Sequence, residues 1–322
     1  MKAIVQHDYG TPEVLTYADV DRPVPGEDEV LVRVHAASVG PWVWRMVGPD
    51  PRIMRIAGGG LSKPKRTIPG ADMAGRVEAV GAQVTSLQQG DEVYGEADGC
   101  FAEFVCAAAD ACAPKPVGLD FVQAAAVPVA GNTALLGLRD HGHVEPGQHV
   151  LVIGASGGVG TFAVQIARAI GASVTGVCST DSMDTVLALG ADEVVDYTKQ
   201  DVTAGPEQYD LIFQLAGTQS AAQLRRASTP EGIVVLSSGE GGPLVGPILR
   251  LLTAIVTSPF ISQTYKPFYA TPDRENLVAL TELIESGQVE PMIDRTYPLT
   301  DAAEAVRSAQ HDHIRGKIVL TV

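Results

Sequence analysis

The chain has 322 residues, 45% of them hydrophobic, and a formal net charge of −15. That length suits two domains, and the acidity argues against nucleic acid or an anionic membrane as a partner. The cysteines at 100, 106, 112 and 178 read as reduced thiols of a cytoplasmic protein rather than a disulfide framework.

Met1 to His7 lack the apolar centre of a signal peptide. Strands are expected at 2–6 and 29–36, joined by a loop rich in proline and charge, then at 75–81, 90–95 and 102–105. Many short strands between glycine turns predict a twisted, partly closed β-domain. His141 and His143 read as parts of a solvated loop, as do His311 and His313 near the end of the chain.

From residue 150 the pattern changes to alternating strands and helices. Strands are expected at 150–153, 173–178, 193–197, 210–215 and 232–236, with helices at 161–168, 182–189 and 219–227. This is the doubly wound α/β signature. The apolar run at 243–261 is interrupted by Pro247, Arg250 and Pro259, so it falls short of a membrane span and reads as a buried or interface segment. Two amphipathic helices, at 274–286 and 300–308, precede a last strand at 317–322. That strand is expected to return to the first domain's sheet.

The stretch at 150–168 carries the most chemistry. Val150-Leu151-Val152-Ile153 suits a buried parallel strand, and Gly154-Ala155-Ser156-Gly157-Gly158-Val159-Gly160 is a glycine-rich turn leading into a helix. Glycines let backbone approach a pyrophosphate, and the helix N-terminus offers free N–H groups at the positive end of its dipole. The spacing, Gly154-x-x-Gly157-x-x-Gly160, departs from the common G-x-G-x-x-G. Gly171 ends the helix as a C-cap should. The second strand ends at Cys178-Ser179-Thr180, where an NAD site usually places a carboxylate. Two hydroxyls without that carboxylate favour NADPH, although Asp181 and Asp184 follow and no lysine or arginine is near in sequence. An ordinary helix-capping role for Ser179 and Thr180 is the alternative.

With these pieces in order, the chain resembles the zinc-free quinone oxidoreductase branch of the medium-chain dehydrogenase/reductases, including its reticulon-4-interacting-protein-like members. The matching stretches include Pro69 to Gly75, Gly90 to Gly95, Ala124 to Pro128, Gly158 to Ala167, Gly190 to Asp192 and Arg315 to Val319. The resemblance implies an α/β protein with a GroES-like β-rich catalytic domain at 1–117 and 266–322. A Rossmann domain, doubly wound on a parallel sheet, would occupy 118–265, with the site in the cleft between them. It implies NADPH and a homodimer. By position it assigns Gly154, Ser156, Gly157, Gly158, Val159 and Gly160 to the pyrophosphate. Ser179, Thr180 and Tyr197 fall at the adenosine 2′-phosphate. Thr133, Gly217, Ser238 and Lys317 fall near the nicotinamide. Gly40, Trp42 and Trp44 fall in a loop lining the substrate side, and packing of the β-domain is the alternative for the two tryptophans. Gly40 and Val43 stand where relatives often have Asn and Asp, and Gln214 stands where they often have Asp. A basic residue common near 181 or 182 is missing.

Zinc enzymes share this architecture. The positions of their ligands are Gly40, Ala71 and the neighbourhood of Val129 here, and none offers a metal donor. The cysteines at 100, 106 and 112 lack zinc-ribbon spacing. Ser156 is not in a G-x-S-x-G elbow. The expected activity is hydride transfer from NADPH to a quinone or α,β-unsaturated carbonyl without zinc. No general acid stands out; Tyr94 and Thr133 are the nearest candidates. A cofactor-binding scaffold or redox sensor with little turnover is the alternative, followed by an alcohol dehydrogenase.

Overall fold

The computed structural model describes residues 1–48, 60, 62–205, 208–237 and 263–322. Ser238 and the apolar run at 243–261 lie outside the described residues. The chain forms two compact units. The first comprises Met1–Asn132, Thr271–Ser286 and Pro291–Val322; the second comprises Thr133–Ala270 and Gly287–Glu290.

The first unit contains β1 (Lys2–Val5) and β2 (Thr16–Asp19), which pair with each other in a separate two-stranded sheet. Its main sheet is built from β3 (Glu29–Val39), β4 (Asp72–Val80), β5 (Glu92–Glu96), β6 (Phe104–Ala108) and β7 (Cys112–Pro114). Two strands from the end of the chain, which follow those of the second unit and are β14 (Ile293–Pro298) and β15 (Lys317–Thr321), complete it. The order is β14-β15-β3-β4-β5-β7, with β6 also on β3. The last strand therefore returns to the first unit's sheet, running antiparallel to β3 with Ile318 opposite Val39 and Thr321 opposite Ala36. β14 was not expected, because Ile-Asp-Arg-Thr-Tyr-Pro lacks an apolar alternation; it is an edge strand held on one side by β15. Val32, Met73, Val93, Phe101 and Ile318 are among the residues that close the core.

After β3 the chain enters helix α1 (Pro41–Val47) instead of the expected loop. Gly40 is extended and Pro41 takes the first helical position, where its missing N–H costs nothing. Val43 and Val47, one turn apart, are buried. Helix α2 (Phe121–Ala125) starts at a capping box between Asp120 and Gln123. Helix α3 (Pro128–Leu136) follows and carries the chain out of the first unit.

The second unit is a six-stranded sheet in the order β10-β9-β8-β11-β12-β13, and every neighbouring pair is parallel. Its strands are β8 (His149–Ile153), β9 (Ser173–Cys178), β10 (Glu193–Asp196), β11 (Tyr209–Gln214), β12 (Ser228–Leu236) and β13 (Thr264–Pro267). The chain steps outward from β8 to β10, then returns to the other side of β8 with β11. The ends of β8 and β11 thus mark the switch point, where ligands of open α/β sheets bind. Helix α4 (Gly158–Ile170) buries 160–167 and ends at Gly171, whose φ of 97° gives the predicted left-handed C-cap. Helices α5 (Met183–Ala188) and α6 (Ala221–Ala227) lie between later strands.

The segment around His141 is not a plain loop. Residues Gly137–His141 form one π-helical turn, and a side chain at Gly137 would fall 2.3 Å from the Phe213 ring. The His141 ring stacks on Phe268 at 4.4 Å. Helix α7 (Arg274–Glu285) and helix α8 (Ala302–His311) belong to the first unit, α7 burying Leu277, Leu280 and Ile284.

Candidate functional site

In the second unit the strand–turn–helix at 149–170 makes a donor cradle. The Gly154 and Ala155 N–H groups both donate to Val177 O, at 3.1 and 3.0 Å, fixing the turn to β9. Gly157 is the N-cap of α4 and has no side chain to satisfy the helix start. The N–H groups of Gly158, Val159 and Gly160 point along the helix axis with no preceding carbonyl to accept them. Gly154 has φ +93°, a conformation that excludes most side chains. A Cβ at Gly160 would lie 2.0 Å from Gly154 O, so the helix start and the turn touch through backbone. The turn also lies against the loop after β11: a Cβ at Gly154 would meet the Ala216 Cβ at 2.9 Å. Gly217, with φ +79°, is in that loop, and Gln214 donates to Gln219 Oε1 at 3.1 Å. The cradle fits an anionic pyrophosphate: it supplies uncapped donors, the positive end of a helix dipole and no side chains in the way.

Ser179, Thr180 and Tyr197 come together at the ends of β9 and β10. Asp196 pairs with Cys178 in the sheet, and the Tyr197 N–H donates to Cys178 O at 3.1 Å. Ser179 occupies the N-cap position of the 3-10 turn at 180–182 but makes no side-chain cap bond, and the Thr180 hydroxyl donates to Asp196 instead. Hydroxyls of Thr180 and then Thr198 hold the Asp196 carboxyl well below the usual carboxylate range. The Lys199 ammonium stands 3.0 Å from Asp196 Oδ2. A base near the strand end, which inspection of the nearby sequence missed, is therefore supplied by the neighbouring strand. Parallel pairing of β9 with β10 is what places 197–199 beside 178–180.

The first unit holds a second polar cluster. Asp72, at the start of β4, is 3% exposed and accepts three hydrogen bonds. The Val129 N–H donates to Oδ1 at 2.7 Å; Lys317 Nζ donates to Oδ2 at 3.0 Å; the Ser38 hydroxyl also donates to Oδ2. Lys317 is 5% exposed. The antiparallel register that sets Ile318 opposite Val39 brings Lys317 next to Gly40, and a Cβ at Gly40 would lie 3.4 Å from the ammonium nitrogen. The positions that the resemblance assigns to zinc ligands, Gly40, Ala71 and the neighbourhood of Val129, thus border an ion pair. Gly40 faces Lys317, Ala71 precedes Asp72, and Val129 donates to it. Among the described residues no group of three or more His, Cys, Asp and Glu is arranged to hold a metal. Next to the pair, Glu96 accepts from Asn132 Nδ2 at 3.2 Å. Burial, and then the Asp72 charge, push the Glu96 carboxyl up to about 8. Sequence reading passed over Asp72, Glu96 and Asn132, because their partners lie far away along the chain.

Some expected site residues do other work. Tyr94 is fully buried, and its hydroxyl donates to Leu277 O at 2.6 Å, with Thr281 Oγ1 at 2.9 Å. Burial raises its pKa far above the usual range for a phenol. Its hydroxyl is thus bonded to the α7 residues Leu277 and Thr281, and it anchors that helix. Trp42 and Trp44 are on α1 rather than a loop, and two residues on a helix point roughly 200° apart, so they do not line one face together. Trp44 packs on the first unit's core. Thr133 is 7% exposed within α3.

Residues 26–117 match the alcohol dehydrogenase GroES-like domain family, and residues 189–320 match the zinc-binding dehydrogenase family. The chain is 33% identical to the NADPH-dependent alkenal/one oxidoreductase of Arabidopsis thaliana, over 99% of this chain and 79% of that protein. It is also 33% identical to the quinone oxidoreductase of Mus musculus, over 99% of this chain and 97% of the relative. The structure of the quinone oxidoreductase from Coxiella burnetii is similar with a TM-score of 0.88 and 28% identity, covering 100% of this chain and 99% of that one. The parallel sheet with its glycine turn, the GroES-like sheet closed by the C-terminal strand and these relatives together show that the chain belongs to the medium-chain dehydrogenase/reductase superfamily, on the branch that holds quinone and alkenal/one oxidoreductases.

Proposed function

We propose that this chain is an NADPH-dependent oxidoreductase that transfers hydride to a quinone or an α,β-unsaturated carbonyl without zinc. The observation that carries the reading is the uncapped start of α4 at the switch point of a parallel sheet. There Gly158, Val159 and Gly160 present N–H donors behind a glycine N-cap. The relatives' names point the same way: alkenal/one and quinone oxidoreductases. The proposed domains are the GroES-like one at 1–117 and 266–322 and the Rossmann one at 118–265; the compact units differ at these borders, 118–132 falling in the first and 266–270 and 287–290 in the second.

In this reading Gly154, Ser156, Gly157, Gly158, Val159 and Gly160 hold the pyrophosphate. Ser179, Thr180 and Tyr197 bind the adenosine 2′-phosphate. Thr133, Gly217, Ser238 and Lys317 serve the nicotinamide end. When bound, the cofactor supplies a hydride from C4 of its reduced ring. The protein's share is orientation and stabilisation of the charge that develops on the acceptor oxygen. Gly40 is proposed on the substrate side, where a Cβ would lie 3.4 Å from the Lys317 ammonium nitrogen. The proposed setting is a cytoplasmic homodimer; among the described residues no helix is long and apolar enough to cross a membrane.

Fluorescence titration with NADPH and NADH, followed by turnover of an enone and a quinone, tests the reading. NADPH is expected to bind more tightly and to be oxidised by both acceptors. Equal affinities would remove the role given to Ser179 and Thr180. Binding without turnover would favour a scaffold or sensor, and no binding of either nucleotide would overturn the proposal.

A further inference from the structure

Between Arg168 and Lys199 the chain has no lysine or arginine. Arg168 itself pairs with Asp192 at 3.0 Å, at the opposite edge of the sheet, where β10 begins. At the carboxyl edge, Asp181 and Asp184 follow β9 and Asp196 closes β10. A nucleotide phosphate placed there meets three carboxylates, and Lys199 is the cation that the turn after β10 brings back to them. The Lys199 N–H donates to Asp196 O at 3.1 Å, which closes that turn, and its ammonium stands 3.0 Å from Asp196 Oδ2. The same oxygen accepts the Thr180 hydroxyl. Two groups bonded to one atom lie within about 6 Å of each other, so the ammonium reaches over the end of β9. β9 is in turn the strand that holds the glycine turn, through Val177 O.

The two members of the pair are in opposite states. Asp196 Oδ1 accepts the Thr198 N–H at 2.9 Å and the Thr198 hydroxyl at 2.7 Å, while Oδ2 takes Thr180 and Lys199. A carboxylate has about four acceptor sites, and here all are used. Asp196 therefore has nothing left for the ribose hydroxyls of an unphosphorylated adenosine, the bond for which NAD sites keep a carboxylate. An ammonium has three N–H donors. Among the described residues Asp196 takes one of those of Lys199, and the side chain is 65% exposed, which leaves donors open to a ligand.

We infer that Lys199 is the residue that sets the preference for a 2′-phosphorylated nucleotide, with Asp196, Thr180 and Thr198 as the residues that position it. The inference rests on the reading of the chain as an NADPH-dependent reductase. The Thr180 hydroxyl proton is committed to Asp196, so Thr180 acts on the phosphate through the pair, and Ser179, whose side chain makes no cap bond, keeps its hydroxyl for the phosphate itself. Lys199 does two things at once. It donates to the phosphate, a charge-assisted bond stronger than a neutral one, and it cancels the Asp196 charge that would otherwise repel the dianion. A ribose hydroxyl gains from neither.

The test compares the parent with Lys199→Gln, which removes the charge, and Lys199→Arg, which keeps it. The probes are adenosine 2′,5′-bisphosphate and adenosine 5′-monophosphate, each displacing NADPH in a fluorescence titration. Neither probe carries a nicotinamide, so the comparison reads this edge of the second unit alone. Thermal unfolding is measured first and is expected to stay close to the parent, since the lysine side chain is exposed. In the parent the bisphosphate should bind at least about tenfold more tightly than the monophosphate, the size of one hydrogen bond to a charged group. In Lys199→Gln that ratio should fall to about one with the monophosphate unchanged, and Lys199→Arg should stay within about threefold of the parent. Raising the salt from about 0.05 to about 0.3 M should shrink the ratio in the parent and leave it level in Lys199→Gln. A ratio that survives in Lys199→Gln, a parent that binds both probes equally, or an equal loss of both probes, as a merely structural role for the turn would produce, would overturn the inference. A parent that binds neither NADPH nor either probe would instead overturn the underlying reading, and this inference with it.

Discussion

Replacing Glu96 by glutamine should make the protein more stable as the pH rises. Glu96 ends β5, and its Oε1 accepts from Asn132 Nδ2 at 3.2 Å, a bond that an amide oxygen can also accept. Burial first, and the neighbouring Asp72 second, lift its carboxyl from an ordinary value of 4.5 to about 8. The sign follows from proton counts. Between those two values the unfolded chain has lost the proton while the native chain keeps it, so the native state binds more protons and stability falls as pH rises. The whole interval is worth at most roughly 5 kcal/mol, since each pH unit of displacement corresponds to about 1.4 kcal/mol. Glu96→Gln removes that slope, because an amide does not titrate. Urea unfolding at about pH 5 and about pH 8 should show a small difference at the lower pH and a gain of about 2–5 kcal/mol for the variant at the higher. A difference between variant and parent that does not change with pH would refute the argument and show that the carboxyl titrates normally in the native protein.

Two further substitutions probe the separate sites. Gly160→Ala places a Cβ 2.0 Å from Gly154 O and 2.8 Å from Ala155 backbone, so the turn must open. NADPH affinity measured by fluorescence is expected to drop at least about tenfold, or 1.4 kcal/mol, and an unchanged Kd would count against the cradle. Tyr94→Phe removes the hydroxyl that holds Leu277 O. It should cost about 1–2 kcal/mol in urea unfolding and leave kcat unaltered; a large fall in kcat at unchanged stability would support Tyr94 as a proton donor.

Most of the second unit was legible because its signals are local. An apolar run of four, a glycine turn and an apolar helical face lie within 149–170, and Gly171 announces the helix end by a conformation other residues resist. The central parallel strands β8 and β11 are buried along most of their length and read as apolar runs. Where the signal weakened, reading failed: β14 is polar on an edge, and α1 is a short helix between glycines where the resemblance implied a loop.

The amino-acid order by itself therefore determined the strand–turn–helix cradle, the alternation that builds a parallel sheet and the superfamily, because each is carried by short contiguous motifs whose order along the chain is legible without packing. Only the tertiary structure decided which charges meet. Thr180 reaches Asp196 across 16 residues because β9 and β10 are parallel neighbours. Lys317 reaches Asp72 across 245 because β15 returns to β3 in one register. Sheet registry is a property of the packed whole, and no local pattern around Lys317 announces that its ammonium is buried against a carboxylate and faces a glycine.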